Sequence, residues 1–204
     1  ARAGPRRARR TMNRAFYDRP VLDVARDLVG CTVRHGDCAG IVVETEAYHY
    51  TEPACHAYVG VTPRTEVLWG PPGIAYVYRS YGIHELLNAV CEPDGVGAAV
   101  LIRAVEPTEG IEVMRARRGP VPDRELCNGP GKLTQALGIG LEHNATSLLG
   151  DGPVAFGPRA AEIEVVRSAP RGGITKGVDL DWRFTAAGSR HVSRPFPKVA
   201  TPAA

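Results

Sequence analysis

Apolar side chains at Val21, Leu22, Val24, Ala25, Leu28 and Val29 fall at the spacing of a helix that buries one face. Asp18-Arg19-Pro20 precedes them and Gly30 follows, so the helix is expected to start at the proline and end at a glycine that can turn left-handed. Beyond Gly30 the pattern becomes that of strands. Cys31 to Arg34 and Cys38 to Tyr48, separated by the turn chemistry of His35-Gly36-Asp37, predict a hairpin. Further strands read from Ile74 to Arg79, His84 to Cys91 and Ala98 to Val105, and Pro93-Asp94-Gly95-Val96-Gly97 folds the last two back on each other. Helices are expected over Glu109 to Arg117 and Lys132 to Leu137, with weaker strands near Glu162 to Val166 and Asp181 to Thr185. Strands joined by tight turns predict an antiparallel meander and a mixed α+β domain, not a parallel α/β alternation. No repeat and no linker interrupts it.

Polar positions inside these apolar runs carry the chemistry. The strand through Ile41, Val42 and Val43 continues into Glu44-Thr45-Glu46-Ala47-Tyr48. Burying two carboxylates and a tyrosine there is costly unless they line a polar pocket. The second signature, Tyr76-Val77-Tyr78-Arg79-Ser80-Tyr81-Gly82, lies on a strand expected to fold back towards the first. Its two-residue period sends Tyr76 and Tyr78 to one face and Ala75 and Val77 to the other. Ordinary core packing is the preferred reading for Tyr76 alone. Tyr81 sits at a hairpin tip beside Gly82, where exposure is expected and a rigid aromatic can act as a probe. On the return strand Asn88 shares a face with Leu86 and Val90; without further information a buried structural hydrogen bond is its plainer reading.

With 204 residues and 44% hydrophobic content the chain can bury one substantial core. Its formal charge of +3 is misleading, because Ala1 to Arg14 holds six arginines and no acid. Residues 15 to 204 therefore carry 19 basic against 22 acidic groups, a net of −3. The leader, residues 1–14, lacks apolar patterning and reads as disordered, either a solvated arm or a polyanion-binding one; residues 15–204 form the domain. Cys31, Cys38, Cys55, Cys91 and Cys127 are odd in number and show no metal-ligand spacing, as buried small hydrophobes would. No run reaches the ~20 apolar residues of a membrane span, and nothing marks export, so a cytoplasmic protein is expected.

The motifs also agree, in order, with a known family. Ile41-Val42-Val43-Glu44-Thr45-Glu46-Ala47-Tyr48, Thr62-Pro63-Arg64, Tyr76-Val77-Tyr78 with Tyr81-Gly82 and Asn88, and Val100-Leu101-Ile102-Arg103-Ala104-Val105-Glu106-Pro107 resemble the alkyladenine (3-methyladenine) DNA glycosylases. The likeness continues through Arg124-Glu125-Leu126-Cys127-Asn128-Gly129-Pro130-Gly131-Lys132-Leu133 to Arg183-Phe184, Gly188-Ser189 and Val192-Ser193. It implies one domain around a curved antiparallel sheet, and a monomer that flips a damaged purine out of duplex DNA and hydrolyses its N-glycosidic bond.

Residue by residue, the resemblance implies that Glu46 is the general base, that Arg103 helps hold the attacking water, and that the Val192 carbonyl is a third ligand of that water. A carboxylate suits the first task because it can deprotonate water and stabilise an oxocarbenium-like centre. Tyr48, His56 and Tyr78 resemble the walls of the base pocket, although His56 stands one residue closer to Tyr48 than in the family pattern. Asn88 matches the residue that crowds the exocyclic amine of guanine, and Tyr81 the wedge that fills the gap left by the flipped nucleotide. Arg79 and Ser80 depart from the pattern, standing where apolar residues are expected.

A 3- or 7-alkylated purine already carries positive charge and needs only an activated water, whereas neutral hypoxanthine needs a proton as it leaves. Lys132, Lys176 and Lys198 all lie outside the two signature strands, which argues for a monofunctional glycosylase without Schiff-base chemistry. No metal or organic cofactor is expected; the partner the resemblance implies is damaged double-stranded DNA, and no membrane is expected to be involved. The rival readings are a non-catalytic nucleic-acid-binding module, which Glu46 opposes, and a hydrolase of small N-glycosides, which has no use for a wedge or a basic leader.

Overall fold

The computed structural model describes residues 11–160, 163 and 166–195. Two helices lead in, α1 (Arg14–Tyr17) and α2 (Val21–Leu28). Asn13 caps α1 by accepting from the Phe16 amide at 3.2 Å. The expected helix after Pro20 is α2, which turns out at Gly30 with φ +93°. Residues 1–10 of the Arg-rich leader lie outside the described residues; Met12 already donates its amide to the Phe156 carbonyl at 3.0 Å.

The expected hairpin is β1 (Cys31–His35) and β2 (Cys38–His49), and the meander that follows is β3 (Ala75–Ser80), β4 (His84–Val90) and β5 (Ala98–Glu109). After α3 (Ile111–Arg118), α4 (Asp123–Leu126) and α5 (Pro130–Leu137) come β6 (Val154–Arg159), β7 (Val166–Ala169) and β8 (Arg183–Ala186). Among the described residues one open sheet of eight strands runs in the order β3-β4-β5-β2-β1-β6, every pairing antiparallel, with β8 on β2 and β7 on β8. The α+β class and the mainly antiparallel sheet are as the sequence predicts. α1, α4 and β6 are not among the elements expected from the sequence, and α3 starts two residues later than expected, because Glu109 still pairs with Ala39 in β5. The strand expected over Glu162 to Val166 falls mostly outside the described residues; β7 begins at its last residue.

One expectation needs correction. The two signature strands, β2 and β3, do not fold against each other; β4 and β5 lie between them in the sheet. Twist and curl of the intervening strands bring their ends to a common cavity.

Alternation along the strands divides the sheet into two faces. Val42, Ala47, Ala75, Val77, Leu87, Ala89, Val100 and Ile102 face the core under the helices, with Leu28, Met114 and Leu133. Thr45 fixes α2 to this face by donating to the Ala25 carbonyl at 2.7 Å. The opposite positions, Glu44, Glu46, Tyr48, Tyr76, Tyr78, Asn88, Leu101 and Arg103, are thereby committed to the other face, where 3-10 turns at His56–Val59 and Glu66–Trp69 form the rim. β2 and β5 cross closely at Gly40, where a Cβ would come within 2.5 Å of the Glu106 carbonyl oxygen. The register of the pair shifts between Val42 and Thr45, and Arg103 is passed over in it. Such a bulge re-aims a side chain without breaking the sheet. No helix among the described residues is long and apolar enough to cross a membrane.

Candidate active site

β2 changes partner midway: its first residues pair with β1 and Glu44 to Glu46 pair with β8. At this fork both carboxylates are fully buried. Glu46 is held by three donors. Tyr48 Oη reaches Oε2 at 2.8 Å, Arg103 Nη1 reaches Oε2 at 3.2 Å, and the Gly172 amide reaches Oε1 at 2.7 Å. Glu44 receives Arg103 Nε at 3.1 Å, Arg183 Nε at 2.7 Å, and the Ser193 amide and hydroxyl at 2.5 and 2.8 Å. Two carboxylates and two guanidiniums thus form a neutral buried set, which is what burial of charge demands. Burial draws the Arg103 pKa down, but Glu46 and Glu44 outweigh it and the group sits above its usual value. Burial, with Glu46 beside it, pushes the Tyr48 hydroxyl far above the phenol range, so it stays protonated and donates.

Tyr48 and Arg103 also line a cavity of about 850 Å3, placing Glu46 directly behind its wall. Across it stand Tyr76 and Tyr78, stacked with centroids 5.3 Å apart and planes 29° from parallel. His56 meets Tyr78 edge-on at 4.6 Å, and its Nδ1 lies 3.0 Å from the Tyr76 hydroxyl. Burial and then the Arg64 charge lower the His56 pKa, so the ring is neutral at pH 7. Burial, with Tyr76 next to it, raises Tyr78 to about 12. Asn88 is buried at the cavity floor and donates Nδ2 to the Tyr76 carbonyl at 3.1 Å across the β3–β4 rung. The cavity has the size of a small-molecule site; its tyrosines and leucines share the lining with Arg64, Arg79, Arg103, Arg118, Lys132 and Arg194, and no carboxylate is among the described residues that line it.

At the cavity mouth the β3–β4 hairpin presents Tyr81, 90% exposed. Tyr81 and Gly82 both have positive φ, +50° and +74°, as a type I′ turn requires, and the Ile83 amide closes the turn on the Ser80 carbonyl at 3.1 Å. An aromatic residue held in the left-handed region is an outlier of the kind found at functional sites. One rung below, Arg79 bonds Glu85 across the strands at 2.8 Å.

Residues 15–190 match the methylpurine-DNA glycosylase family. The chain belongs to that family. Its relatives include proteins of Bradyrhizobium diazoefficiens (52% identical over 198 residues, 97% of this chain and 98% of the relative), Nitrobacter winogradskyi (55% over 185 residues, 91% and 88%) and Methanoculleus marisnigri (48% over 191 residues, 90% and 99%). Each carries the name "Putative 3-methyladenine DNA glycosylase". The resemblance drawn from the motifs is borne out.

In this methylpurine-DNA glycosylase fold, Tyr48, His56, Tyr78, Tyr81, Asn88 and Arg103 all line one cavity, with Glu46 behind it. Val192 lines a smaller cavity of about 280 Å3 that shares Arg194 with the main one, and its neighbour Ser193 is the residue that bonds Glu44. Lys132, though outside the signature strands, lines the mouth of the main cavity and donates to Asn128 Oδ1 at 2.9 Å. Lys198 lies outside the described residues. Glu44, Arg171, Gly172 and Arg183 were not singled out as site residues from sequence. For Glu44 a signal existed, since it shares the strand face of Glu46 two residues away.

Proposed function

We propose that the cavity receives a purine flipped from duplex DNA and that Glu46 takes a proton from the water that attacks C1′. The observation that carries this reading is the fully buried Glu46 carboxylate, set behind Tyr48 and Arg103 with all its donors in place. A base needs a fixed lone pair beside the reacting atoms, and a preorganised anion also stabilises an oxocarbenium-like sugar. As the water oxygen bonds to C1′, the N-glycosidic bond breaks, its electron pair leaves with the purine nitrogen, and the water proton passes to Glu46. Arg103 and the Val192 carbonyl serve to hold the water, and Tyr48, His56 and Tyr78 stack or wall the base.

Substrate class follows from the pocket's acids. Tyr48 and Tyr78 have raised pKa values and His56 a lowered one, so none of these side chains readily gives a proton to a leaving purine at neutral pH. The chemistry favours 3- and 7-alkylated purines, which leave as neutral bases, over hypoxanthine. The test is incubation with duplexes holding one 7-methylguanine or one hypoxanthine, in chelator, followed by hot alkali. Alkali-dependent breaks at the lesion are expected, faster for the cationic base. Strand cleavage before alkali would refute a monofunctional enzyme, and no breaks at all would refute the activity.

Two substitutions separate flipping and selection. Flipping costs a few kcal/mol of stacking and pairing, which the Tyr81 wedge offsets. Tyr81→Ser should slow excision most in a well-paired duplex and least where the lesion is mispaired; equal losses on both would remove Tyr81 as the wedge. Asn88→Ser shortens the side chain at the floor, so measurable release of undamaged guanine is expected by chromatography of the freed bases. Guanine exclusion as strict as in the unaltered protein would leave Asn88 as a structural hydrogen bond to β3.

A further inference from the structure

A second buried ion pair stands behind the site and takes no part in the scheme above. Arg171 forks onto Glu52, Nη1 to Oε1 at 2.6 Å and Nη2 to Oε2 at 2.9 Å, and its side chain has no exposed surface. Nη1 also reaches the Ala47 carbonyl at 2.9 Å and Nη2 the Gly177 carbonyl at 3.2 Å. The guanidinium lies between two rings, its Cζ 4.6 Å from the Tyr48 centroid and 5.3 Å from that of Trp182. A buried pair of this kind adds little net stability over an apolar filling of the same volume. What it does supply is position, because a fork with two parallel bonds and two stacked faces allows one geometry.

That geometry is passed directly to the site. The next residue, Gly172, donates its amide to Glu46 Oε1 at 2.7 Å, and its carbonyl accepts from Arg103 Nη1 at 3.2 Å. The ring against Arg171 is Tyr48, whose hydroxyl bonds the other oxygen of Glu46. Glu52 in turn accepts the Ala54 amide at 2.8 Å, just ahead of His56. Arg171 therefore touches neither cavity nor Glu46, yet it fixes a donor to each Glu46 oxygen.

We infer that Arg171, braced by Glu52, is a positioning residue for excision: it holds the Gly172 backbone and the Tyr48 ring where the Glu46 carboxylate is aimed at the sugar. The inference rests on the reading of Glu46 as the base. A displacement of ~1 Å at such a site can cost about 10²-fold in rate. Lysine at position 171 keeps the charge but loses the fork and the stacking.

The experiment uses the full chain with Arg171→Lys and Glu52→Gln, and single-turnover release of 7-methylguanine over a series of enzyme concentrations. Assays are run well below each variant's own melting midpoint. The saturated rate is expected to fall about 10- to 100-fold in both variants, while the half-saturating concentration stays within about threefold, as loss of an interaction felt at the reacting centre should. A saturated rate equal to that of the unaltered protein, or a loss confined to half-saturation, would overturn the inference. If Arg171→Lys does not fold, Glu52→Gln decides alone. Glu46→Gln is run beside them: full activity there would overturn the reading of Glu46, whereas an inactive Glu46→Gln with fully active clamp variants would overturn the clamp alone.

Discussion

Glu46→Gln is expected to bind a lesion duplex as the unaltered protein does while its single-turnover excision falls at least ~10²–10⁴-fold, the usual cost of removing a positioned general base. The substitution is not electrostatically silent, and the geometry says how. Oε1 receives the Gly172 amide and Oε2 receives Tyr48 and Arg103. A glutamine has one oxygen and one NH2 group, so whichever way it turns a donor faces a donor. Tyr48 can rotate its hydroxyl and accept; Arg103 and the backbone amide cannot. The mismatch should lower stability by about 1–3 kcal/mol, visible as an earlier urea midpoint. Binding and unfolding must therefore be measured beside the rate. A rate loss with intact binding in fully folded protein assigns the base; excision at the original rate removes Glu46 from the chemistry.

How much of this arrangement could be read in the chain depends on how local its cause is. The faces of β2, β3, β4 and β5 follow from a two-residue period, so the shared face of Tyr76 and Tyr78 and the exposed tip at Tyr81 were legible, and the strand ends fall within two residues except at β5, which runs on to Glu109. All five cysteines are buried, as small hydrophobes are expected to be. β6 was not legible, because Gly157-Pro158 reads as loop; it survives as an edge strand on β1, where a missing amide need not break a ladder. The buried charge set was legible only by half. Glu44, Glu46 and Arg103 sit in strong strand patterns, but Arg183 and Ser193 meet Glu44 across 139 and 149 residues of chain. Arg171-Gly172-Gly173 carries no periodicity at all, and its role is set by where β7 and β8 leave the segment between them.

The same charge set predicts the largest loss of stability. Arg103 bonds Glu44, Glu46, the Gly172 carbonyl and the Ser193 hydroxyl, so it joins β5 to β2 and to two later segments at once. Arg103→Met keeps most of the side chain's volume but leaves two buried carboxylates with Arg183 as the remaining guanidinium partner. Removing one member of a buried pair typically costs about 3–5 kcal/mol, a large share of the ~5–15 kcal/mol that holds a domain folded. Excision should fall as well, by about 10²-fold, since Glu46 loses the donor that orients its Oε2. A double-mutant cycle with Glu44→Gln shows whether the loss is electrostatic. With one carboxylate already neutral, removing Arg103 leaves less uncompensated charge, so the pair should cost less than the sum of the two by about 0.5–3 kcal/mol. Strict additivity in urea unfolding would mean that Arg103 and Glu44 are not coupled, and that the Glu44 network neither aims Arg103 nor, through it, Glu46.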